Sequence, residues 1–499
     1  MKNINYILFG ILGFIALTLN SCDSILDKQP DYSLTEENSI TDFSKAEAAV
    51  RGIYASFQND SWSGALYMSL ASKSGFVNWS ELDYNMEYSQ QNMPGSPTSI
   101  WGNFYKSLNA ANFAINGISD LSAVAVPSEE ERKALIGEAR CLRAWININI
   151  LWNYGHWWAP DDDEYGLLYR DEVVNLSNVE QKRLSVGESY QKIYEDLDYA
   201  IQHLNSFHSP RFVSKEFAKA LKAKTLLYRA GYLNDKPEME IALKLVNEVL
   251  DQMPSGLNLE SDMNQMYQQA WDSSENLFVK YLEDNGSRYS SGGHSYSYAL
   301  VYEGDRLPLA TGATLTAGLN YGLDWFKNDP RWDIATGEVR APETWDDTYR
   351  WTWKKLTRLG RYGGQQATPP DEMYATYYFR AAELFIIKSE LLARLGKSSV
   401  EAIAPINQLR SMRSVPTLEA LNPTSDSELM DMIFKEYFLE LFLENGSEFF
   451  ASVRFHNNGK PWVETIKEGK SLNENRMCWP IPNEEMINNT LMTQNPDLQ

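Results

Sequence analysis

The sequence predicts a mostly α protein, a helical scaffold with long irregular loop regions and minor β structure. Three observations predict it. Apolar residues recur at three- and four-residue spacing through segment after segment. A serine capping box and a glycine stop frame the strongest of these segments. Two long stretches, 59–99 and 285–365, lack any sustained period and mix Gly, Ser, Pro and aromatic residues, so they read as loops. With 43% hydrophobic and 22% charged residues, the 499-residue chain is globular rather than disordered.

Residues 1–21 read as a signal segment: Lys2 supplies a positive start, and Ile7 to Leu19 is an apolar run too short to be a stable span. Leu19-Asn20-Ser21-Cys22 resembles a bacterial lipobox, which makes Cys22 the acylated first residue of the mature chain; the alternative is an ordinary secretory signal cut elsewhere. Several acyl chains hold firmly, since each buried methylene contributes ~0.8 kcal/mol. Residues 22–45 are polar and read as a tether, and 46–499 as one domain. Helices follow over 44–57, from Ser99 through the Trp101, Tyr105, Leu108, Asn112 stripe, and over 128–154. In the last of these, Ser128 and Glu131 suit a capping box, Leu135, Ala139, Leu142, Ile146 and Ile150 form the apolar face, and Gly155 closes it. Further helices are expected over 186–204, 214–233 and 238–253, with Ala218, Ala220 and Ala223 small enough for close helix contact; these pairs resemble degenerate tetratricopeptide pairs. Leu277–Tyr281 reads as a strand. Helices resume over 377–396, 399–412 and 427–443, and the Pro- and Asn-rich tail from Cys478 reads as irregular.

Charge and cysteine content narrow the function. The chain carries 45 basic and 67 acidic residues, a net −22, which leaves no basic excess for nucleic acid or for an anionic membrane surface. Three cysteines, Cys22, Cys141 and Cys478, make no disulfide framework, and with five His there is no zinc-ligand spacing. Cys141 reads as an inert core thiol. Asp161-Asp162-Asp163-Glu164 lacks the alternating order of a calcium loop and reads as a solvated acidic turn. No GxSxG, HExxH or Walker pattern is present, and no metal or cofactor is expected.

Several motifs, in order along the chain, resemble the SusD/RagB family of outer-membrane nutrient-binding lipoproteins of Bacteroidetes. They are GEARCLRAWININILWNYG (137–155) with Glu138, Arg140, Arg143 and Ala144; NDPRW (328–332); FRAAELFIIKSELLARLG (379–396) with Arg380 and Glu383; INQLRSMR (406–413); and the tail WPIPNEEMINNTLMTQNPDL (479–498). Asn445-Gly446 departs from the Glu-Gly commoner there. The resemblance implies a SusD-like scaffold containing tetratricopeptide-type helix pairs. It implies a lipid-anchored, surface-exposed protein of the outer membrane that captures oligosaccharide or polysaccharide without chemistry. Its partner would be a SusC-like TonB-dependent transporter, over which it forms a lid. The alternatives are the same architecture binding peptide or another nutrient, and a glycoside-processing enzyme using two carboxylates.

The motifs do not carry the family's ligand residues, which sit in variable loops, so those are argued from chemistry. Rigid indole and phenol rings give sugar C–H groups a flat apolar face, and neighbouring amides and carboxylates satisfy the hydroxyls. In 59–99, Trp62, Trp79, Tyr84 and Tyr88 alternate with Asp83, Asn85 and Gln90. In 285–365, Tyr289, Tyr296, Tyr298, Tyr302 and Trp345 lie beside Asn285, Arg288, His294, Glu303 and Asp346. The foremost candidates are Trp79, Tyr84 and Tyr296; the competing role for any of these rings is to pin a long loop to the scaffold. Trp101, Trp145, Trp152 and Trp351 read as core, and the Trp157-Trp158 pair as packing at a helix end.

Overall fold

A computed structural model describes residues 39–57, 60–62, 64–79, 96–268, 270, 273–281, 317–319, 322–340, 349–353, 375–467 and 471–498. Cys22 lies outside them. The helices are α1 (Phe43–Ser56), α2 (Gly64–Ser74), α3 (Ser96–Ser119), α4 (Glu129–Tyr154), α5 (Val186–His203), α6 (Lys215–Leu233), α7 (Lys236–Leu250), α8 (Met263–Gln268), α9 (Leu323–Lys327), α10 (Trp332–Ala335), α11 (Ala381–Arg394), α12 (Ser399–Met412), α13 (Asp426–Leu441), α14 (Ser447–Arg454), α15 (Trp462–Ile466) and α16 (Asn483–Asn488). Short strands β1 (Val77–Trp79), β2 (Asn276–Tyr281), β3 (Ala317–Leu319), β4 (Thr336–Arg340), β5 (Tyr349–Trp353) and β6 (Ala375–Arg380) pair two by two, as β1–β3, β2–β6 and β4–β5, all antiparallel. The protein is mostly α, as its periodicity predicts.

Neighbouring helices pack in pairs, α3 on α4, α4 on α5, α6 on α7 and α11 on α12. Local chemistry places their ends. Asp42, Ser128, Ser214, Asp235, Ser398 and Ser425 each accept the backbone N–H three residues on, which satisfies an orphan donor of the first turn. Ser185 and Glu188 close a full capping box on α5. At Ser128 the box is partial: Glu131 Oε2 accepts from the Ser128 hydroxyl at 3.0 Å. Ala218, Ala220 and Ala223 are fully buried, as close helix packing requires.

Two expectations need correction. Residues 375–380 form strand β6 rather than the start of a helix. The run Thr376-Tyr377-Tyr378-Phe379 is β-branched and aromatic, pairs with β2, and hands over to α11 only at Ala381. The 59–99 stretch is not all loop: α2 buries Leu66, Tyr67, Leu70 and Ala71 at helical spacing, a pattern masked by its Gly and Ser content. The tail is irregular as expected, apart from the short α16, yet it is tied down. Asn495 Nδ2 donates to the carbonyls of Tyr154 and Trp479, at 2.9 Å each, and Gln494 exchanges bonds with the backbone of Ile481. The Asn445-Gly446 departure has a backbone reason. Both residues are left-handed, with φ of 56° and 65°, and a Cβ at Gly446 would lie 2.3 Å from Leu70 Cδ1.

The core contains a buried ionic network. Arg380 reaches Glu275 at 2.5 Å, Glu440 at 3.2 Å and Glu444 at 2.8 Å. Arg413 reaches Glu275 at 2.6 Å and Glu440 at 2.5 Å. Arg331 bridges Asp329, Glu436 and Glu440, and Arg410 meets Glu436 at 2.9 Å. Burial alone would raise the Glu440 carboxyl, but Arg413, Arg380 and Arg331 outweigh it and hold the group well below the usual range. A second cluster sets Glu390 between Arg454 and Arg394, each at 2.7 Å. Burial opposes ionisation there too, yet the two guanidinium groups bring Glu390 down from 4.5 to about 2.

A depressed carboxyl contributes stability that is present above its unfolded value and lost as pH falls through the folded one. Glu390→Gln should therefore be less stable than wild type at pH 7, with the gap shrinking as pH falls from about 4.5 toward 2. Urea denaturation across that range measures it; a gap independent of pH would contradict the assignment.

Candidate functional site

The two aromatic stretches meet in the structure. β1 comes from the first and β3 from the second, and they pair as Val77↔Leu319, Asn78↔Gly318 and Trp79↔Ala317. Because the pairing is antiparallel, the chain continues beyond Trp79 and arrives at Ala317 at the same end of this ribbon. Asp83, Tyr84, Asn85 and Tyr88 follow Trp79 in sequence, and Tyr289, Tyr296 and Tyr298 precede Ala317; all seven lie outside the described residues.

The ribbon is rooted in packed aromatics. Phe76, the residue before β1, is fully buried and stacks on Phe438 of α13, with centroids 4.5 Å apart and planes at 28°. Gly75 turns the chain from α2 into β1 at φ 84°. On the other strand's side, α9 sets Phe326 against Phe438 and Phe442, and Trp325 edge-on to Trp462.

A second projection is the β4–β5 hairpin, in register from Thr336↔Trp353 to Arg340↔Tyr349. Its connection, 341–348, carries Trp345 and Asp346 and lies outside the described residues. The hairpin grows from the ionic core: fully buried Arg331 leads directly into α10, and the Thr336 hydroxyl donates to Trp332 O at 2.7 Å. The Asp-Pro-Arg turn is thus an anchor for the strand that follows it.

Trp62 is a correction to the ligand set. It is 1% exposed, donates from Nε1 to Ser107 Oγ at 3.1 Å, and packs between Phe57 and Phe104 at centroid distances of 4.6 and 4.5 Å. A short 3-10 turn, Asp60–Trp62, drives it between α1 and α3, and no glycan reaches it. Trp101, Trp145 and Trp152 are core, and Trp157 and Trp158 are buried packing residues. Trp351 sits in β5 opposite Glu338.

The acidic run builds a turn. Asp161 pairs with Arg229 at 2.5 Å, and Asp163 accepts from the Tyr165 backbone at 2.9 Å while facing His156 Nδ1 at 3.2 Å. Among the described residues, no three His, Cys, Asp or Glu side chains converge as metal ligands would. Cys141 and Cys478 are both buried, and burial raises each thiol, that of Cys478 to about 11. Composition gave no sign of Lys73. It is 1% exposed, its ammonium donates to Met477 O and lies 5.2 Å from the rings of Phe449 and Trp479, and burial lowers it to about 7. It ties α2, and so the ribbon, to the C-terminal segment.

Comparison with known proteins agrees with this architecture. Residues 24–230 match a SusD-like family model described as starch-binding and associating with the outer membrane, and residues 326–497 match the SusD family model. A SusD-like protein from Formosa agariphila is 25% identical over 528 aligned residues, covering 99% of each chain. A SusD-like protein from Bacteroides ovatus is 25% identical over 52% of this chain and 46% of its own. Among solved structures, a SusD superfamily protein from Parabacteroides distasonis superposes with a TM-score of 0.70 at 16% identity, over 93% of this chain and all of that one. A laminarin-binding SusD-like protein superposes at 0.66 and 19% identity, over 91% and 99%. Among the described residues no helix is long and apolar enough to cross a membrane.

Trp62→Ala should cost about 3–5 kcal/mol of stability, the usual range for a fully buried aromatic, and leave ligand affinity of the folded protein unchanged. Paired denaturation and binding measurements check it.

Proposed function

From the premise that this chain belongs to the SusD family, a family of outer-membrane-associated glycan-binding proteins, we propose that it is a surface lipoprotein that captures oligosaccharide or polysaccharide and passes it to a SusC-like TonB-dependent transporter. The observation that carries the reading is the β1–β3 ribbon, which joins the two aromatic stretches at one edge. Trp79 stands on that ribbon. Tyr84 and Tyr296, with Tyr88, Tyr289, Tyr298 and Trp345, supply further stacking faces, and Asp83 and Asn85 take sugar hydroxyls. The laminarin-binding neighbour supports a glycan as cargo. Capture is passive, without a catalytic step. Affinity falls in the micromolar to millimolar range, because each open stacking contact contributes only about 1 kcal/mol. The Cys22 lipid holds the protein at the membrane through the tether.

Affinity electrophoresis against a polysaccharide panel tests the cargo. Wild type should be retarded by at least one glycan, with Trp79→Ala and Tyr296→Ala each weakening retention about fivefold, the equivalent of one lost stacking contact. No retardation on any glycan would contradict the cargo, and release of reducing ends would favour an enzyme. Cys22→Ser should move the protein from the membrane fraction to the soluble one; retention in the membrane would show that a different anchor operates.

A further inference from the structure

Two segments distant in sequence are locked into one surface. The first is 171–182, in the connection between α4 and α5; the second is α16 with the turn that follows to Leu491. Gln181 N donates to Asn489 Oδ1 at 3.0 Å, Asn489 Nδ2 donates back to Gln181 O at 2.9 Å, and Thr490 Oγ1 donates to Glu180 Oε1 at 2.6 Å. The connection is also fixed to the scaffold. Val174 N donates to Asn109 Oδ1 on α3 at 2.8 Å, and Arg170 donates to the carbonyls of Asn178 and Val179. Its turn is closed from within: Asn175 Oδ1 accepts from Ser177 N and Asn178 Oδ1 from Asn175 N, each at 2.8 Å.

This fixed frame holds apolar side chains out in water. Leu176, in the turn, is 98% exposed and Ile487, on α16, is 75% exposed; Val174 and Leu491 are exposed beside them in sequence. One exposed leucine needs no explanation, but four apolar residues on two segments bonded to each other form a patch, and patches mark docking surfaces. The tail motif 479–498 makes the same point. Its Asn489 and Asn495 are buried and tie the tail inward, whereas its Ile487 and Leu491 stay outside and do nothing for the fold.

Charge selects the occupant. The exposed charged residues of the two segments are Asp171, Glu172, Glu180 and Glu484 against Lys182 alone. An anionic lipid surface is repelled by such a border. A second copy of the chain would bring like carboxylates together. The surface that fits is that of a different protein, with apolar side chains at its centre and Lys or Arg around them. Because the frame is already ordered, docking loses little conformational freedom.

We propose that this face, anchored by Leu176 and Ile487, is where the chain docks on its transporter. The identity of the partner rests on the function proposed above; the face rests on the exposed residues and their charged border. The test replaces the native chain, in its own cells, by tagged full-length forms and recovers each from detergent-solubilised outer membranes. The amount of TonB-dependent transporter retained per chain is then read by mass spectrometry. Wild type should retain it. Leu176→Asp and Ile487→Asp should each lower retention about tenfold, since each puts a charge at an apolar contact. Val400→Asp, at an exposed apolar residue of α12, should match wild type. Circular dichroism confirms that each variant is folded, and retardation by glycan should be unchanged in all three. Retention by Leu176→Asp and Ile487→Asp equal to wild type would overturn the face while leaving the transporter reading intact. Absence of any TonB-dependent transporter from the wild-type material would instead remove the partner reading, and this docking with it. Dimerisation of the purified chain that Leu176→Asp abolishes would overturn the proposal in favour of a second copy. Cosedimentation with phosphatidylglycerol vesicles, abolished the same way, would overturn it in favour of the membrane.

Discussion

Four buried arginines and five carboxylates hold together parts of the chain that are far apart in sequence. Glu275 stands at the entry to β2, Arg380 at the junction of β6 and α11, Arg410 and Arg413 at the end of α12, and Glu436, Glu440 and Glu444 along and just past α13. Asp329 and Arg331 bring in the turn before β4. Each ion was removed from water at a cost of several kcal/mol, and only multiple short contacts offset it. Such an arrangement is intolerant of partial loss, because removing one partner leaves the others charged, buried and unmatched. The aromatic projections depend on it. Arg331 roots the β4–β5 hairpin, and α13 offers the Phe434 and Phe438 faces on which the ribbon and α9 rest.

The helices were legible because their signals are local. The cap at Ser128 and the α4 periodicity lie within a few residues of what they determine. The network was not legible. Arg331 and Glu436 are 105 residues apart, and Arg413 and Glu275 are 138 apart, so no window of sequence contains the pair. Resemblance singled out Arg380, Glu383 and the 406–413 element without revealing that they act inside the protein. β6 was missed because Tyr377, Tyr378 and Phe379 fit a helix face as well as a strand until β2 supplies the partner. Trp62 sits in Gly- and Ser-rich surroundings, and composition did not reveal that its ring is inserted into the core. The meeting of the two loop regions at Trp79 and Ala317 was likewise invisible before the strands paired.

A division of labour follows. Residues that make the family recognisable, the arginines of 328–332, 379–396 and 406–413, build the scaffold. Residues proposed to grip the glycan belong to stretches with no motif at all. This accounts for how solved relatives share the fold at TM-scores near 0.7 with identity below 20%. Packing and ion pairing constrain the frame, while loop sequences in general vary more than the elements they connect.

The most direct measurement takes Arg331→Met and compares its unfolding free energy with its affinity for whichever polysaccharide retards the wild type. The account predicts a loss of about 3–5 kcal/mol in stability, as for a broken buried ion pair, together with destabilisation of the hairpin it roots and binding that survives through the Trp79 ribbon. Unchanged stability with abolished binding would place this arginine among the ligand contacts and contradict the separation of frame from grip.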